Sequence, residues 1–484
     1  DDGKIVGNGV VGAVQVAFAD DVTTVTATPL PINVATVAEL EAAANAAVAG
    51  DTIVLAEGTY ILNSQIEVKS GVTYQGAGMD LTILDCNNVT RAFAAWGDRG
   101  ATEGQVDANG VAIPNLTGPT GWVVDGLTIQ NGVSDSANRR DILQAARDLL
   151  TNYTGSPYTL AAAQGENDGI AENPAWFEVL SGGTDDNLTD VELQAYLDNN
   201  PVGSAGHLIV NDDQVDDGGA FCLLNGTSGT VQNCVIVDCT AISAGGAVRL
   251  NNGASLMMDK CMIFGCYAED DGGLGSMSGN DTYFSLTNSV VDGVSCGDDG
   301  GVFKSGTSAA AGVLMYNCLI VNCATGDDRL FEFKGASNQI LNNTFVNNTC
   351  ADKGILSERT DADNPGGELM IQNNIFAGNS NEGAKDPLIE VRYPDAMVVV
   401  MTNNLFFVNS ADDGLDDDAG YIVIGENGNI EGDPLFVGPD DFHITADSPA
   451  VDAGADLGVT EDFDGNVRPQ GSATDIGAYE FVAP

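Results

Sequence analysis

The chain of 484 residues carries 17 Lys and Arg against 70 Asp and Glu, a formal net charge of −53. This balance excludes a nucleic-acid-binding protein, because binding to a phosphate backbone depends on concentrated basic residues. Since 43% of the residues are hydrophobic and only 18% are charged, a disordered acidic polymer is excluded as well. No apolar run reaches the roughly 18 residues that a membrane helix needs, so we predict a folded protein without a membrane span.

Residues 1–35 form a β-prone N-terminal arm that is rich in Val and Thr. A free segment of this kind exposes an apolar edge strand, which proteins avoid. Two interpretations stay open: the arm pairs with a neighbouring copy by strand addition, or it folds back on its own chain. The residues predicted to make this contact are Ile5, Val6, Val10, Val14, Val16 and Phe18.

Residues 36–133 are predicted to hold a helix and a first set of short strands. Thr36 and Glu39 have the spacing of a capping box, and the Ala-rich stretch after them predicts an amphipathic helix to about Ala49. Its apolar face is predicted to contain Val37, Leu40, Ala44 and Val48. A helix in this place covers the open apolar end of a stacked-coil protein.

Residues 134–215 are too many for a loop without secondary structure. Two stretches within them, 139–150 and 188–197, have apolar residues at helical spacing. We therefore predict a helical insertion between coils, of the kind that decorates one face of a repeat protein.

Residues 216–432 contain the repeat that determines the fold. The run Asn-Cys-Val-Ile-Val-Asp-Cys at 233–239 returns in related form at 260, 288, 317, 342, 373 and 403, and Gly-Gly steps begin at 218, 245, 272 and 300. Units of about 27 residues with Gly-Gly steps and Val/Ile-rich runs cannot bury an apolar face alone, so they stack on their neighbours. The repeat predicts an all-β parallel β-helix, a solenoid with the preceding helix as its cap.

Two sets of residues are predicted to stack along this solenoid, where equivalent positions lie about 4.8 Å apart. The Asn residues that begin most units are expected to bond one another along the axis. The cysteines are expected to be small buried apolar residues rather than disulfides. One predicted stack contains Cys239, Cys266, Cys323 and Cys350, and another contains Cys234, Cys261 and Cys318.

The C-terminal residues 433–484 carry a family resemblance. The runs Asp433-Pro-Leu-Phe436, Asp462-Phe-Asp-Gly-Asn-Val-Arg-Pro469 and Asp475-Ile-Gly-Ala-Tyr-Glu480 resemble the closing segment of secreted β-helix proteins of the choice-of-anchor Q type. The central repeats also resemble those of chlamydial polymorphic outer-membrane proteins. These resemblances imply a right-handed, pectin-lyase-like β-helix outside the cell, and they bring no catalytic residues with them.

Acidic residues precede the Gly-Gly steps and should line one edge of the solenoid. Stacked carboxylates repel one another unless a cation intervenes, and Ca²⁺ suits paired Asp on successive turns. The alternative is a solvated acidic edge. The predicted metal ligands are Asp216, Asp217, Asp270, Asp271, Asp298 and Asp299, with a second cluster at Asp462, Asp464 and Asn466.

A sparse basic row follows the same register: Arg249, Lys304, Lys334, Arg359 and Arg392. One interpretation is that the row binds a polyanion. Another is that it forms salt bridges with Glu332, Glu358 and Glu390, or with the acidic edge of a neighbouring subunit. A net charge of −53 disfavours an acidic polymer as ligand.

The sequence thus predicts an extracellular or cell-surface structural protein. It would be a self-assembling filament, sheath or surface-layer subunit whose partner is another copy of itself, with calcium as the one expected cofactor. The alternative is a carbohydrate-active β-helix enzyme, a polysaccharide lyase or glycoside hydrolase, or an adhesin that binds a cell-surface glycan.

Overall fold

Each coil of the chain adds one strand to several parallel sheets. In the computed structural model, Ser228–Gln232 is followed by Val235–Val237, Thr240–Ala241 and Val248–Asn251, and Ser255–Asp259 then pairs in parallel with Ser228–Gln232. We number the four sheets in this order within a coil. The predicted parallel β-helix is confirmed. The structure describes residues 14–18, 21–25, 30–96, 98–99, 116–134, 217–279, 281–306, 312–327, 329–334, 337–351, 354–358, 367–381, 388–391, 398–409 and 424–483.

The strands stack in the following order within the described ranges. Sheet 1 contains Ile32–Val34, Thr52–Leu55, Thr73–Gln75, Thr120–Asp125, Ser228–Gln232, Ser255–Asp259, Tyr283–Thr287, Gly312–Tyr316, Ser337–Leu341, Glu368–Gln372 and Val398–Thr402. Sheet 2 contains Gly58–Ile61, Thr82–Asp85, Thr128–Gln130, Val235–Val237, Met262–Phe264, Val290–Asp292, Leu319–Val321, Thr344–Val346, Ile375–Ala377, Leu405–Phe407 and Ile430–Glu431. Sheet 3 contains Thr240–Ala241, Tyr267–Ala268, Ser295–Cys296, Ala324–Thr325, Thr349–Cys350 and Ser380–Asn381. Sheet 4 contains Ile66–Glu67, Phe93–Trp96, Phe221–Leu224, Val248–Asn251, Gly275–Ser278, Phe303–Ser305, Phe331–Phe333, Leu356–Glu358 and Ile389–Val391.

Alternate residues of the strands point inward and form one continuous apolar core. Aromatic rings stack along the axis: the Phe345 and Phe376 centroids lie 4.8 Å apart, and those of Phe376 and Phe406 lie 5.3 Å apart. Such offset pairs add to the stabilisation that their burial provides. The core therefore repeats in step with the coils.

Tight corners explain why Asn and Gly recur in the sequence. The Asn that begins a unit has a left-handed backbone, with φ of 50° at Asn233 and 57° at Asn373, a conformation that Asn tolerates better than most residues. At the Gly-Gly step, Gly245 has φ of 74°, and a Cβ on Gly246 would lie 2.3 Å from the Gly273 carbonyl oxygen. Backbone geometry therefore determines which residue types these corner positions accept.

The residue after each corner Asn forms an inward ladder in which cysteine and asparagine are equivalent. Cys318 Sγ donates to the Leu286 and Tyr316 carbonyls, each at 3.3 Å. Asn374 Nδ2 donates to the matching carbonyls of Ile340 and Gln372, at 2.7 and 3.1 Å. Amide-to-amide bonds connect the downstream members Asn343, Asn374, Asn404 and Asn429, at 3.0–3.1 Å.

The predicted stacks are partly corrected by these contacts. The corner asparagines bond along the axis only in places, as between Asn317 and Asn288 at 3.1 Å. The continuous amide ladder lies one residue later and faces inward. Cys350 is not in the stack of Cys239, because it lies on sheet 3 in register with Thr325 and Cys296. All ten cysteines are buried thiols.

The N-terminal helix extends over Val37–Ala46. Thr36 Oγ1 accepts from the Glu39 amide at 3.3 Å, as the predicted box requires, and the Glu39 carboxylate accepts from the amide of Ala35, one residue before the N-cap, at 2.9 Å. Leu40, Ala43 and Ala44 are buried against the first coil. Val48 is 54% exposed, contrary to the prediction, because the backbone becomes extended at Ala47 and leaves the helix.

Part of the predicted N-terminal arm forms a hairpin and part of it joins sheet 1. Val14–Phe18 pairs antiparallel with Asp21–Val25, so the strand that holds Val14, Val16 and Phe18 is half of a hairpin. Ile5, Val6 and Val10 lie outside the described residues, as does the predicted helical insertion beyond residue 134. Ile32–Val34, predicted as part of the arm, is the first strand of sheet 1 because it pairs with Thr52–Leu55.

The C-terminal segment, residues 433–483, runs back along the solenoid over the outer face of sheet 2. It includes an antiparallel pair, Phe436–Gly438 with Asp441–Ile444. Asn403 donates to the Ala453 carbonyl at 3.0 Å, Asn373 to Ala455 at 2.8 Å and Asn317 to Glu461 at 2.7 Å. The corner asparagines therefore anchor this segment. The apolar residues buried beneath it include Leu319, Val321, Val346, Ile375 and Leu405.

Two further strands, Asp98–Arg99 and Leu116–Thr117, pair antiparallel outside the main sheets. In the part of the chain that the structure describes, no helix is long and apolar enough to cross a membrane.

Candidate functional site

The predicted acidic and basic rows meet on the outer face of sheet 4, where they neutralise each other. Arg249 Nε lies 3.0 Å from Asp217 Oδ2. Lys304 Nζ bridges two successive turns, at 2.7 Å from Asp271 and 3.3 Å from Asp299. The cation that the carboxylate row requires is thus supplied at these positions by side chains of the same chain.

Arg329 extends this charged row and was missed by the sequence analysis. Its Nη1 lies 3.0 Å from Glu332 and 3.5 Å from Asp299, and its Nε lies 3.6 Å from Glu390. Lys334 completes the row at 2.6 Å from Glu332. Arg329 follows a turn without the Gly-Gly step that marks the four preceding coils at 218, 245, 272 and 300, so no repeat signal pointed to it.

The remaining predicted partners lie elsewhere. Arg359, Arg392 and Asp216 are outside the described residues. Glu358 is on the inward side of sheet 4, where Asn338 Nδ2 donates to it at 3.2 Å. Its place inside the solenoid follows from strand alternation, because Ser357 next to it faces outward and donates to Glu390.

The protonation of the row opposes a base-catalysed reaction. Burial lowers the pKa of Lys304, but Asp271 and Asp299 outweigh that effect and raise the pKa overall. A general base works best with a pKa near the working pH, and Lys304 is held protonated instead. Burial and the neighbouring carboxylates Asp271 and Asp299 raise the pKa of Asp270 and of Asp298.

Lys304→Met should lower the stability of the coils that it bridges. Removing one partner of a fully buried ion pair costs about 3–5 kcal/mol; Lys304 is 20% exposed, so we expect about 2 kcal/mol. Hydrogen exchange at residues 271–306 measures the change. Lys260→Met is the matched control, because Lys260 forms no ion pair among the described residues. Equal exchange in the two variants would show that the bridge contributes nothing.

The second predicted metal cluster does come together, and both oxygens of Asp462 accept hydrogen bonds within the protein. Asp462 accepts four hydrogen bonds, from the Asp464, Asn466 and Glu480 amides and from Asn466 Nδ2, at 2.7–3.1 Å. Asp464 Oδ2 lies 2.8 Å from His443 Nε2. Within the described ranges, no group of three or more His, Cys, Asp or Glu has the arrangement to hold a metal ion.

His443 joins two turns of the C-terminal segment. Its Nδ1 lies 2.5 Å from Asp441, its Nε2 contacts Asp464, and its ring stacks on Tyr479 with centroids 3.9 Å apart. Burial lowers its pKa, but hydrogen bonds to Asp464 and Asp441 raise it overall. The imidazolium is therefore favoured in the folded protein.

Docking of the C-terminal segment should weaken as the pH rises from about 5 to about 8. A raised pKa in the folded state gives stability that is present below the unfolded pKa and is lost as the pH passes the folded pKa. The raised pKa of His443 therefore gives stability that is lost as the pH rises above neutral. Burial raises the pKa of Asp475 to about 6, so its contribution is lost in the same direction but at lower pH. Protection factors of residues 433–483 measure the change. His443→Gln should remove the upper part of the profile, and an unchanged profile in this variant would contradict the assignment.

A separate groove of about 1080 Å³ lies along the outer face of sheet 1. Five consecutive strands, from Ser228–Gln232 to Ser337–Leu341, each contribute two outward side chains, and residues 457–465 form one wall. The ten outward residues are Thr230, Gln232, Met257, Asp259, Ser285, Thr287, Leu314, Tyr316, Gln339 and Leu341. Seven of the ten carry an amide, a hydroxyl, a carboxylate or a phenol, and the other three, Met257, Leu314 and Leu341, are apolar.

This groove was also missed by the sequence analysis. The wall comes from a segment more than a hundred residues away in sequence from the strands that it faces. The outward side chains show no residue-type repeat that would have set them apart from ordinary solvated positions. The strand alternation was the only available signal.

No protein-family model and no curated protein matches the chain, so the resemblance to choice-of-anchor Q proteins and to chlamydial polymorphic outer-membrane proteins is not supported. Solved structures are similar. Pectate lyase Pel9A is 13% identical over 93% of this chain and 96% of its own, with a TM-score of 0.38. The Streptococcus pneumoniae surface adhesin PfbA is 11% identical over 77% and 86%, with a TM-score of 0.24. The A-module of the Azotobacter vinelandii mannuronan C-5 epimerase AlgE4 is 12% identical over 82% and 95%, with a TM-score of 0.23. These likenesses concern the fold alone, and we infer no activity from them.

Proposed function

We propose that this protein is an extracellular glycan-binding β-helix whose ligand lies in the sheet 1 groove, parallel to the solenoid axis. The observation that carries the proposal is the groove itself, with two outward side chains from each of five coils. Coils repeat every 4.8 Å or so, so a chain-like ligand meets a new pair of side chains at each coil. An extended polymer of polar rings fits this arrangement better than a compact molecule.

The chemistry of the lining supports a sugar ligand. Gln232, Thr287 and Gln339 offer hydrogen-bond donors and acceptors, and Tyr316 and Met257 offer flat or adaptable apolar surface. Met257 is 59% exposed, so its side chain is accessible to a ligand in the groove. The charged row on sheet 4 is ion-paired and holds Lys304 protonated, so this lysine supplies no general base.

A glycan array followed by calorimetry tests the proposal. Tyr316→Ala should weaken binding of the best glycan at least tenfold, which corresponds to about 1.4 kcal/mol. Tyr267→Ala is the matched control, because Tyr267 is 39% exposed on sheet 3 and does not line the groove. Equal losses in the two variants would reject the groove as the site. Release of unsaturated uronates or new reducing ends would show that the protein cleaves its ligand.

Self-assembly into a filament or surface layer is the second candidate. Sheet 1 begins at Ile32–Val34 and ends at Val398–Thr402, and among the described residues each of these strands is paired on one side only. Unpaired edges invite strand addition, and Val398 is 58% exposed at one of them. A neighbouring arm fits this edge, since an isolated hairpin such as 14–25 is marginally stable.

Negative-stain microscopy of the whole protein and of a variant without residues 1–28 tests assembly. Filaments that need these residues would support strand addition between copies. Filaments that form equally without them would overturn the role of the arm.

Calcium stays a prediction at Asp270 and Asp298. Both residues are exposed. Partial burial of the carboxyl groups and, second to it, repulsion by neighbouring carboxylates raise their pKa, and a cation would relieve the repulsion. Calorimetry with CaCl₂ tests it: uptake that Asp298→Asn abolishes would support a site, and absence of heat would reject one.

A further inference from the structure

We propose that the sheet 1 groove selects glycans that carry protonated amino groups, and that Asp259 binds the ammonium. This inference rests on the proposed glycan-binding function and names the class of ligand. The residues that line the groove include four carboxylates and one amine, Lys260.

Two of the four carboxylates are already used by the protein. Asp464 is paired with His443, and the two oxygens of Asp462 accept hydrogen bonds from the Asn466 and Glu480 amides. Glu461 is exposed on the wall. Asp259 is the carboxylate that projects from the floor, on the strand Ser255–Asp259 in the middle of the groove.

Asp259 is held in place by one oxygen and leaves the other available. Thr287 Oγ1 and Asn288 Nδ2 both donate to Asp259 Oδ1, each at 2.7 Å. Among the described residues, no donor contacts Asp259 Oδ2, and Lys260 makes no ion pair with it. A fixed carboxylate with a free oxygen in a half-buried groove is a preorganised acceptor for an ammonium, and such charge-assisted bonds are about twice as strong as neutral ones.

The neighbouring side chains suit a sugar placed at this carboxylate. Thr287 and Tyr316 follow Asp259 in register on the next two strands, so Tyr316 lies roughly 10 Å along the axis. Burial and the charge of Asp259 raise the pKa of Tyr316, so the phenol stays neutral beside the carboxylate. An oligosaccharide along the axis therefore contacts the carboxylate and the phenol together.

The charge of the whole protein acts in the same direction. At −53, its field attracts cationic polymers and repels polyuronates before contact. The one amine of the groove, Lys260, is outnumbered by Asp259 and Glu461 even after the paired carboxylates are set aside. Repulsion of uronates is thus built into both the site and the surface.

Two matched probes test the inference: the β-1,4-linked hexamer of glucosamine and the same hexamer with every amine acetylated. They share a backbone and differ in charge. Calorimetry at about pH 6, where aliphatic amines are protonated, and low salt should give at least tenfold tighter binding of the glucosamine hexamer. Asp259→Asn keeps an acceptor for Thr287 and Asn288, so it should fold, and it should weaken the glucosamine hexamer about tenfold while leaving the acetylated hexamer unchanged.

Asp447→Asn is the matched control, because Asp447 is exposed and lies outside the groove. It removes one negative charge, as Asp259→Asn does, and should leave both affinities unchanged. Equal binding of the two hexamers, or no effect of Asp259→Asn, overturns amine selection and leaves the proposed function intact. Tighter binding of hexagalacturonate, lost in Lys260→Met, also overturns it, in favour of the opposite charge. If neither these probes nor any array glycan binds, the proposed function itself fails.

Discussion

Arg468→Met should release the C-terminal segment from the solenoid. Arg468 and Glu480 form a fully buried ion pair at 2.7 Å, with both side chains 0% exposed. Arg468 also donates to the Gly477 carbonyl at 2.8 Å and to Asn317 Oδ1 on the corner row at 3.3 Å. Removing one partner of a buried pair leaves an unpaired charge and costs about 3–5 kcal/mol. Hydrogen exchange of residues 461–481 should report a loss of that size in the local opening free energy.

The double variant Arg468→Met/Glu480→Gln is the control. It removes both charges, so it should recover part of the loss, because no buried charge is left without a partner. The Asp475 and Gln470 amides donate to separate oxygens of Glu480, each at 2.9 Å. The single amide oxygen of the substituted side chain can accept from one of them, so the recovery should be incomplete. A double variant as unstable as the single one would show that packing, rather than the charge pair, holds the segment.

Asn374→Leu should destabilise the downstream coils by at least about 3 kcal/mol, because Leu leaves several buried groups without partners and each costs about 1–3 kcal/mol. Asn374 is fully buried and uses both ends of its amide: it donates to Ile340 and to Asn404, and it accepts from the Asn343 amide at 2.9 Å. The midpoint of thermal unfolding and hydrogen exchange at neighbouring coils measure the loss.

Asn374→Cys provides the matched comparison, because the same position holds Cys318 one ladder step before Asn343. Cys318 has one S–H, which lies 3.3 Å from the carbonyl of Tyr316 in its own coil and from that of Leu286 in the preceding coil. A thiol at 374 can still donate to one of the matching carbonyls, so we expect a smaller loss than with Leu. Equal losses for Cys and Leu would mean that only the amide chain matters and that the thiol and amide are not equivalent.

Much of the fold is encoded locally and was predicted for that reason. The Gly-Gly steps and the unit-initial Asn mark backbone conformations that few residues adopt, as Gly245 and Asn233 show, so the sequence carries the coil length directly. The capping box at Thr36 is likewise a local signal. The errors come from register. Cys350 shares the spacing of Cys239 by sequence count, but coil lengths vary, so Asn348 takes the position equivalent to Cys323 and Cys350 lies two residues later, on sheet 3.

The candidate sites were only half predictable. Charged residues repeat with the coils, so the sequence located the rows of Asp271 and Lys304, but not which carboxylate each cation contacts. Arg329 and the sheet 1 groove carry no repeat signal. The groove requires the wall at 457–465, which comes from a distant part of the chain.

By itself, the sequence determined that the chain is an acidic stacked solenoid with a period of about 27 residues, because period, turn residues and strand alternation are properties of neighbouring residues. Only the tertiary structure decided how the charges pair, that the corner asparagines anchor the C-terminal segment, and where an open groove remains. Those outcomes depend on contacts between residues tens to hundreds of positions apart, such as Asn317 with Glu461. The −53 net charge illustrates the difference: its sum is fixed by composition, but its effect at Asp259 depends on which neighbouring charges the fold has already neutralised.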